Sequence, residues 1–192
     1  MIELSVPLVL ASASETRRRL LARITREFEV VPPDVEEGDL AGKPPEDLVR
    51  ELARRKAQQV ARQRPEALVV AADTVAVCDG EIIGKPEDRA DALRILRKLT
   101  RRPHRVLTGV CVRAPEGPER LRCVETEIRM RRLSEEQLRA LAERDGALQR
   151  AGAYALQPDD PNVIGLEGSE AAVMGLPLEE LEEMIREFYP SE

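Results

Sequence analysis

Leu68-Val69-Val70-Ala71-Ala72-Asp73-Thr74-Val75-Ala76-Val77-Cys78-Asp79-Gly80-Glu81-Ile82-Ile83-Gly84 is the stretch on which the fold turns. From Ala67 to Cys78 the run is apolar except for Asp73-Thr74, the pattern of a central strand covered on both faces. Asp79-Gly80 then supplies a hairpin turn into Glu81-Ile82-Ile83-Gly84. A carboxylate inside such a strand is an anomaly, because burying an unpaired charge costs several kcal/mol. Asp73 must therefore cap a neighbouring turn or pair with an arginine, or else act at an open cleft as a general base or metal ligand.

Working outward, Pro7 to Ala11 is a short apolar run that meets Ser12-Ala13-Ser14, after which Leu20, Leu21, Ile24 and Phe28 recur at helical spacing. This predicts a strand, a turn of small residues and a helix capped by Ser14, followed by a second strand over Phe28–Val31 that Pro32-Pro33 stops. Pro44-Pro45 opens an amphipathic helix running to about Gln63, and a further helix spans about Arg89 to Thr100. Alternating strands at Arg105–Arg113 and Leu121–Arg131 are joined through Gly117-Pro118. Ser134-Glu135-Glu136-Gln137 forms a capping box for a helix ending near Asp145-Gly146. Gly152 to Gly175 reads as loop with a short strand, and Pro177 starts a C-terminal helix reaching Tyr189. Strands and helices alternate without a strict βαβ repeat, so the class is α/β, or mixed α+β, around a mixed sheet. No linker or internal repeat divides residues 1–192, which read as a single domain.

Composition removes several classes of function. A net charge of −6 and four aromatic residues in 192 argue against a nucleic-acid groove, which needs a basic face and stacking platforms. The one histidine, His104, rules out two-histidine zinc motifs, and it reads as structural or surface more readily than catalytic. Cys78, Cys111 and Cys123 sit singly in apolar or alternating runs and read as reduced, packed residues, so any metal must take oxygen ligands. No segment is apolar enough to span a membrane, and Met1–Leu10 does not resemble a secretory signal, which makes a cytoplasmic location the expectation.

The cations are skewed: twenty-six arginines stand against Lys43, Lys56, Lys85 and Lys98. Lys56 falls in the i, i+4 series Leu48, Leu52, Lys56, Val60, where it either snorkels or points into a polar cleft. Gly84-Lys85-Pro86 follows the hairpin, which could return Lys85 close to Asp73 as a point charge for phosphate; the alternative is a solvated turn lysine. Ser12 to Arg18 joins a strand end to a helix start, a geometry that suits an anion, although Arg17-Arg18-Arg19 could equally be a solvated face. Glu36-Glu37 is an acidic loop pair, either solvent-exposed or a source of oxygen ligands for Mg2+ or Mn2+.

Taken in order, Leu10-Ala11-Ser12-Ala13-Ser14 with Arg17-Arg18 and Leu20-Leu21, Ala72-Asp73-Thr74-Val75, Gly84-Lys85-Pro86, His104-Arg105-Val106-Leu107-Thr108-Gly109, Ala151 to Gln157 and Gly175-Leu176-Pro177-Leu178 resemble the motifs of the Maf family of nucleoside triphosphate pyrophosphatases. The resemblance covers essentially the whole chain. It implies a two-lobed fold with a central cleft, similar to the house-cleaning inosine triphosphate pyrophosphatases. It also implies hydrolysis of the α-β phosphoanhydride of a nucleotide to the monophosphate and pyrophosphate, with a divalent cation, Mg2+ or Mn2+, as cofactor. Carried over residue by residue, it makes Asp73 the proton acceptor, with Glu37, Lys56 and Lys85 beside it in the catalytic set. Glu37 and Asp73 would hold the metal, and Ser12, Ser14, Thr16, Arg17, Thr74 and Gln157 would bind substrate.

Thr74 with Gln157 resembles the subgroup that prefers dTTP and UTP, with CTP and modified pyrimidine nucleotides as further candidates. Thr16 stands where that subgroup commonly has arginine, and Pro158 replaces a usual glycine. The expected partner is a nucleoside triphosphate, with neither nucleic acid nor membrane, and the oligomeric state stays open, a homodimer included. A second class of function is also implied, because the family is linked to septum formation: a nucleotide-binding regulator of cell division without essential turnover.

Overall fold

A computed structural model describes residues 2, 4–35, 42–115, 117–149, 151–154 and 160–190. The apolar run forms β3 (Leu68–Cys78), the central strand of a mixed sheet. On one edge it pairs in parallel with β1 (Leu8–Ala11), which in turn pairs in parallel with β2 (Glu29–Val30). On the other edge it pairs antiparallel with β5 (His104–Arg113), followed by β6 (Glu119–Met130) and β7 (Val163–Glu167). The two-residue turn Asp79-Gly80 reverses the chain into β4 (Glu81–Ile83), which pairs back onto the end of β3. The sheet order is β2-β1-β3-β5-β6-β7, with β4 beside β3.

Six helices cover this sheet among the described residues: α1 (Glu15–Leu21), α2 (Pro45–Ala61), α3 (Arg89–Leu99), α4 (Glu135–Ala142), α5 (Glu170–Val173) and α6 (Leu178–Phe188). Strand alternation sends odd and even residues of β3 to opposite sides. Val69 and Ala71 pack under α2 with Ala53, Ala57 and Val60, whereas Leu68, Val70 and Ala72 pack with Leu20 and Leu21 of α1 and Leu181, Met184 and Ile185 of α6. Beyond Thr74 the even series continues as Ala76 and Cys78 in a different apolar cluster, with Leu96 and Leu99 of α3 and Leu138 and Leu141 of α4. Thr74 therefore lies at the junction between these two apolar clusters, and Asp73 follows Val69 and Ala71 on the face covered by α2.

The local signals decide most boundaries. Ser14 caps α1 by accepting from the Arg17 amide, and Ser134 with Gln137 forms the reciprocal capping box of α4. Three expectations shift. α4 ends at Ala142, three residues before Asp145-Gly146, with Glu143 at its C-cap. α5 is a four-residue helix, capped by Ser169, inside the stretch read as loop and strand. The buried stripe of α2 is Val49, Leu52, Ala53, Ala57 and Val60, with Leu48 only half-buried, so the helix is rotated slightly from the expected register. Arginine serves as the surface cation: Arg97 joins α3 to Glu135 of α4, and Arg120 and Arg122 join β6 to Glu183 and Glu187 of α6. Each such exposed pair is worth about 1 kcal/mol or less.

Candidate active site

The sheet has an opening beside Asp73. β1 accompanies β3 only as far as Ala71, where it pairs with Ala11, and β4 rejoins the same edge only at Ala76, where it pairs with Ile83. Among the described residues, Ala72 to Val75 have no strand partner on that edge. Both neighbours leave the sheet at this point, the first through Ser12-Ala13-Ser14 into α1 and the second through Gly84-Lys85-Pro86. On the opposite edge β5 continues without a break and sets Gly109 against Asp73 and Thr108 against Thr74. Divergence of strands from a shared edge is what opens a ligand crevice in an α/β sheet.

On the face covered by α2, Asp73 is 8% exposed and its Oδ1 is ion-paired with Nζ of Lys56. This answers both sequence questions at once. Lys56 points into the polar cleft, and the cation that pairs with Asp73 is a lysine, not an arginine. The pair forms because α2 lies very close to β5. At Gly109 an added Cβ would stand 2.3 Å from the Val49 carbonyl oxygen and 2.7 Å from the Arg50 amide. Val49 and Lys56 are seven residues apart, close to two helical turns, so they share one face and the close approach at Gly109 delivers Lys56 to Asp73.

On the other face Arg17 arrives from the first turn of α1. Its Nε donates to the Gly175 carbonyl at 2.8 Å and its Nη2 donates to Thr74 Oγ1 at 3.2 Å. Burial pushes the guanidinium's pKa down and the neighbouring Asp73 carboxylate pushes it back up, so Arg17 and Asp73 feel each other across the opening. Thr74 Oγ1 is also 2.9 Å from Thr108 Oγ1, and Thr108, fully buried, donates to the Ala172 carbonyl at 2.7 Å. Ser12 is buried, and its Oγ accepts from the Ser14 amide at 3.1 Å; the Ser14 Oγ accepts from the Arg17 amide at 3.3 Å. Two amides of the turn are thus already satisfied by its own serines. Thr16 is half-buried on the same turn.

Of the expected site residues, the structure gathers Ser12, Ser14, Thr16, Arg17, Lys56, Asp73 and Thr74 around the opening. Lys85 leaves the end of β4 beside it but is exposed and makes no ion pair with a described residue. Glu37, with its neighbour Glu36, and Gln157 lie outside the described residues. Among the described residues no group of three or more acidic, histidine or cysteine side chains is placed to hold a metal. Asp73 still offers a hard oxygen donor, since its Oδ2 carries no hydrogen bond from a described residue. One or two carboxylates together with substrate phosphates are how Mg2+ is commonly held, so the donor set fits that ion.

His104 lies buried at the entrance of β5, where burial pushes its imidazole pKa below the ordinary value, away from the opening's chemistry. Three contributors lie in the motif blocks but were given no role from the sequence: Gly109, Thr108 and Gly175. The first two lie in the His104–Gly109 block, where a threonine and a glycine in an apolar strand were the available signal. Gly175 was legible as the first residue of the Gly175-Leu176-Pro177-Leu178 block.

Residues 7–188 match the family model described as Maf-like protein. The chain belongs to the Maf family. Among curated Maf-family relatives, a dTTP/UTP pyrophosphatase of Geotalea uraniireducens is 43% identical over 188 residues, covering 97% of each chain. Proteins of the same name from Moorella thermoacetica and Dictyoglomus turgidum are 42% and 39% identical, covering 94% of this chain and 94% and 95% of theirs. Among solved structures, the Ham1 protein of Staphylococcus aureus aligns with a TM-score of 0.48 at 18% identity, over 65% of this chain and 71% of that one. A nucleoside-triphosphatase, dITP/XTP pyrophosphatase, of Mycobacterium abscessus aligns with a TM-score of 0.45 at 17% identity, over 94% and 93%.

Proposed function

We propose that this Maf-family chain hydrolyses dTTP and UTP at the α-β phosphoanhydride, releasing pyrophosphate and leaving the nucleoside monophosphate. The observation that carries the reading is the opening in the sheet, where the Asp73 carboxylate is ion-paired with Lys56 on one face and Arg17 stands on the other. Pyrophosphate-bond hydrolysis requires charge neutralisation on the phosphates and an oriented water, with little covalent work for the protein. The curated relatives named dTTP/UTP pyrophosphatase support the choice of substrate.

In this mechanism Lys56 holds Oδ1 of Asp73, which leaves Oδ2 to accept a proton from the attacking water. Water oxygen bonds to the α-phosphorus, the bond from the α-phosphorus to the bridging oxygen breaks, and pyrophosphate departs with that oxygen. Arg17 neutralises phosphate charge from the opposite face, and Lys85 adds a second cation from the end of β4. Asp73, with Glu37, would hold a divalent cation, Mg2+ or Mn2+, which when bound supplies further charge neutralisation on the phosphates. Gln157 reads the base, and the chain works as one unit with two lobes around the opening. No described helix is long and apolar enough to cross a membrane, and we place the activity in the cytoplasm.

The test is Asp73→Asn, which keeps shape and removes the proton acceptor. Pyrophosphate release from UTP and dTTP with Mg2+ should fall by roughly 100-fold or more, and undiminished turnover would refute the assignment.

A further inference from the structure

The hydroxyl protons around Arg17 can be assigned one by one. A carbonyl oxygen has no proton to give, so Thr108 must donate its only hydroxyl hydrogen to the Ala172 carbonyl. In the 2.9 Å contact between the two threonines, Thr108 can then only accept, and Thr74 must donate. With its own hydrogen spent on Thr108, Thr74 meets Arg17 as an acceptor, which is what the Nη2 donor at 3.2 Å requires. The result is a one-way chain: Arg17 to Thr74, Thr74 to Thr108, Thr108 to the carbonyl of Ala172.

The far end of that chain is itself anchored. Buried Thr126 of β6 accepts from the Ser169 amide at 3.0 Å, which ties the start of α5 to the sheet, while Thr108 ties the carbonyl side of the same helix. Just past α5, the Gly175 carbonyl takes the Arg17 Nε. Of the five N–H groups of the guanidinium, the protein therefore consumes one on Nε and one on Nη2. Two on Nη1 and one on Nη2 are left, and Nη1 bonds to no described residue. That free edge is the one that can fork onto a phosphate.

We propose that Thr108 is a positioning residue: acting through Thr74, and together with the Gly175 carbonyl, it orients Arg17 so that only the Nη1–Nη2 edge is presented to the substrate's phosphates. The inference deepens the pyrophosphatase reading and rests on it. It also gives Thr74 a different task from reading the base edge, since its hydroxyl hydrogen is committed inside the protein.

The experiment compares Thr108→Val, Thr108→Ser, Thr74→Val and the double variant Thr74→Val/Thr108→Val, with UTP and Mg2+. Pyrophosphate release is read as kcat/KM at a temperature where circular dichroism shows each protein folded. Removing the hydroxyl that accepts from Thr74, and so fixes Thr74 as the acceptor of Arg17, should lower kcat/KM of Thr108→Val roughly tenfold, while Thr108→Ser stays within about threefold of wild type. The double variant should be no worse than Thr74→Val alone, because both changes cut the same chain. Thr108→Ala carries the same expectation should the valine variant not fold. A merely structural role predicts something different: loss in Thr108→Ser equal to that in Thr108→Val, and multiplied losses in the double variant. Either result, or wild-type kcat/KM in Thr108→Val, overturns the proposal. A wild-type protein inert on both UTP and dTTP overturns the pyrophosphatase reading, and this inference with it.

Discussion

Gly109 is the position where adding a single carbon should do the most damage to the proposed chemistry without removing any polar side chain. A Cβ there would meet the Val49 carbonyl oxygen at 2.3 Å, the Val49 carbonyl carbon at 2.4 Å and the Arg50 amide nitrogen at 2.7 Å, all of them backbone of α2. Ordinary contact begins near 3.4 Å, so α2 must retreat by about 1 Å. Overpacking against flexible side chains costs about 1–3 kcal/mol, and a helix backbone sits at the upper end of that range. For a domain of this size each kcal/mol moves the melting temperature by about 2–4 °C, so Gly109→Ala should melt about 5–10 °C below wild type.

The activity should suffer more than the fold. Lys56 lies about 10 Å along α2 from the point of contact, on the same face, and rides outward with the helix. A displacement near 1 Å at a catalytic group can cost on the order of 100-fold in rate. Melting by circular dichroism and pyrophosphate release from UTP, measured well below the melting transition, give both numbers on one preparation. A variant that melts within about 2 °C of wild type and turns over normally would show that α2 does not depend on the bare backbone of Gly109 to place Lys56.

Gly175→Ala tests the opposite face. Gly175 has φ +108, where a side chain is strained, and its Cβ would stand 3.1 Å from Arg17 Nε. The variant should lose about 1–3 kcal/mol of stability and a larger fraction of its kcat/KM than an alanine at exposed Gly80, the control. His104 gives a pH prediction. Burial lowers its pKa in the folded protein below 6.5, with the backbone at Arg102 and Leu99 partly offsetting the effect. Between that depressed value and 6.5 the unfolded chain holds the extra proton, so stability present above pH 6.5 is lost as pH falls through this window, by up to about 1.4 kcal/mol per unit. Because it is the only histidine, His104→Gln should flatten the decline in melting temperature between pH 7 and 5.5; an unchanged slope would contradict the account.

Much of this protein was legible in its residues because the signals are local. A strand of β-branched and small residues, a serine one position before a helix and an Asp-Gly turn each act through neighbours a few positions away, so period and capping place β3, β4 and the start of α1 within a residue or two, while α1 ends at Leu21, short of the helical spacing that ran on to Ile24 and Phe28. The short helix α5 was hidden because four residues carry too little periodicity to read. Asp73 announced itself as a charge in an apolar run, and Lys56 as a cation in an apolar stripe, but each retained two readings.

What the sequence by itself determined is the set of elements apart from α5, the mixed α/β class and the identity of an out-of-place carboxylate. Only the tertiary structure decided which cation meets it, which edge of Arg17 is left free and where the sheet opens. Those outcomes join residues 17, 57 and 158 positions apart, from Lys56 to Asp73, from Arg17 to Thr74 and from Arg17 to Gly175. They depend on strand register, on how closely α2 can approach a glycine and on which hydroxyl has a hydrogen left to give, and none of these is a property of a residue and its neighbours in the chain.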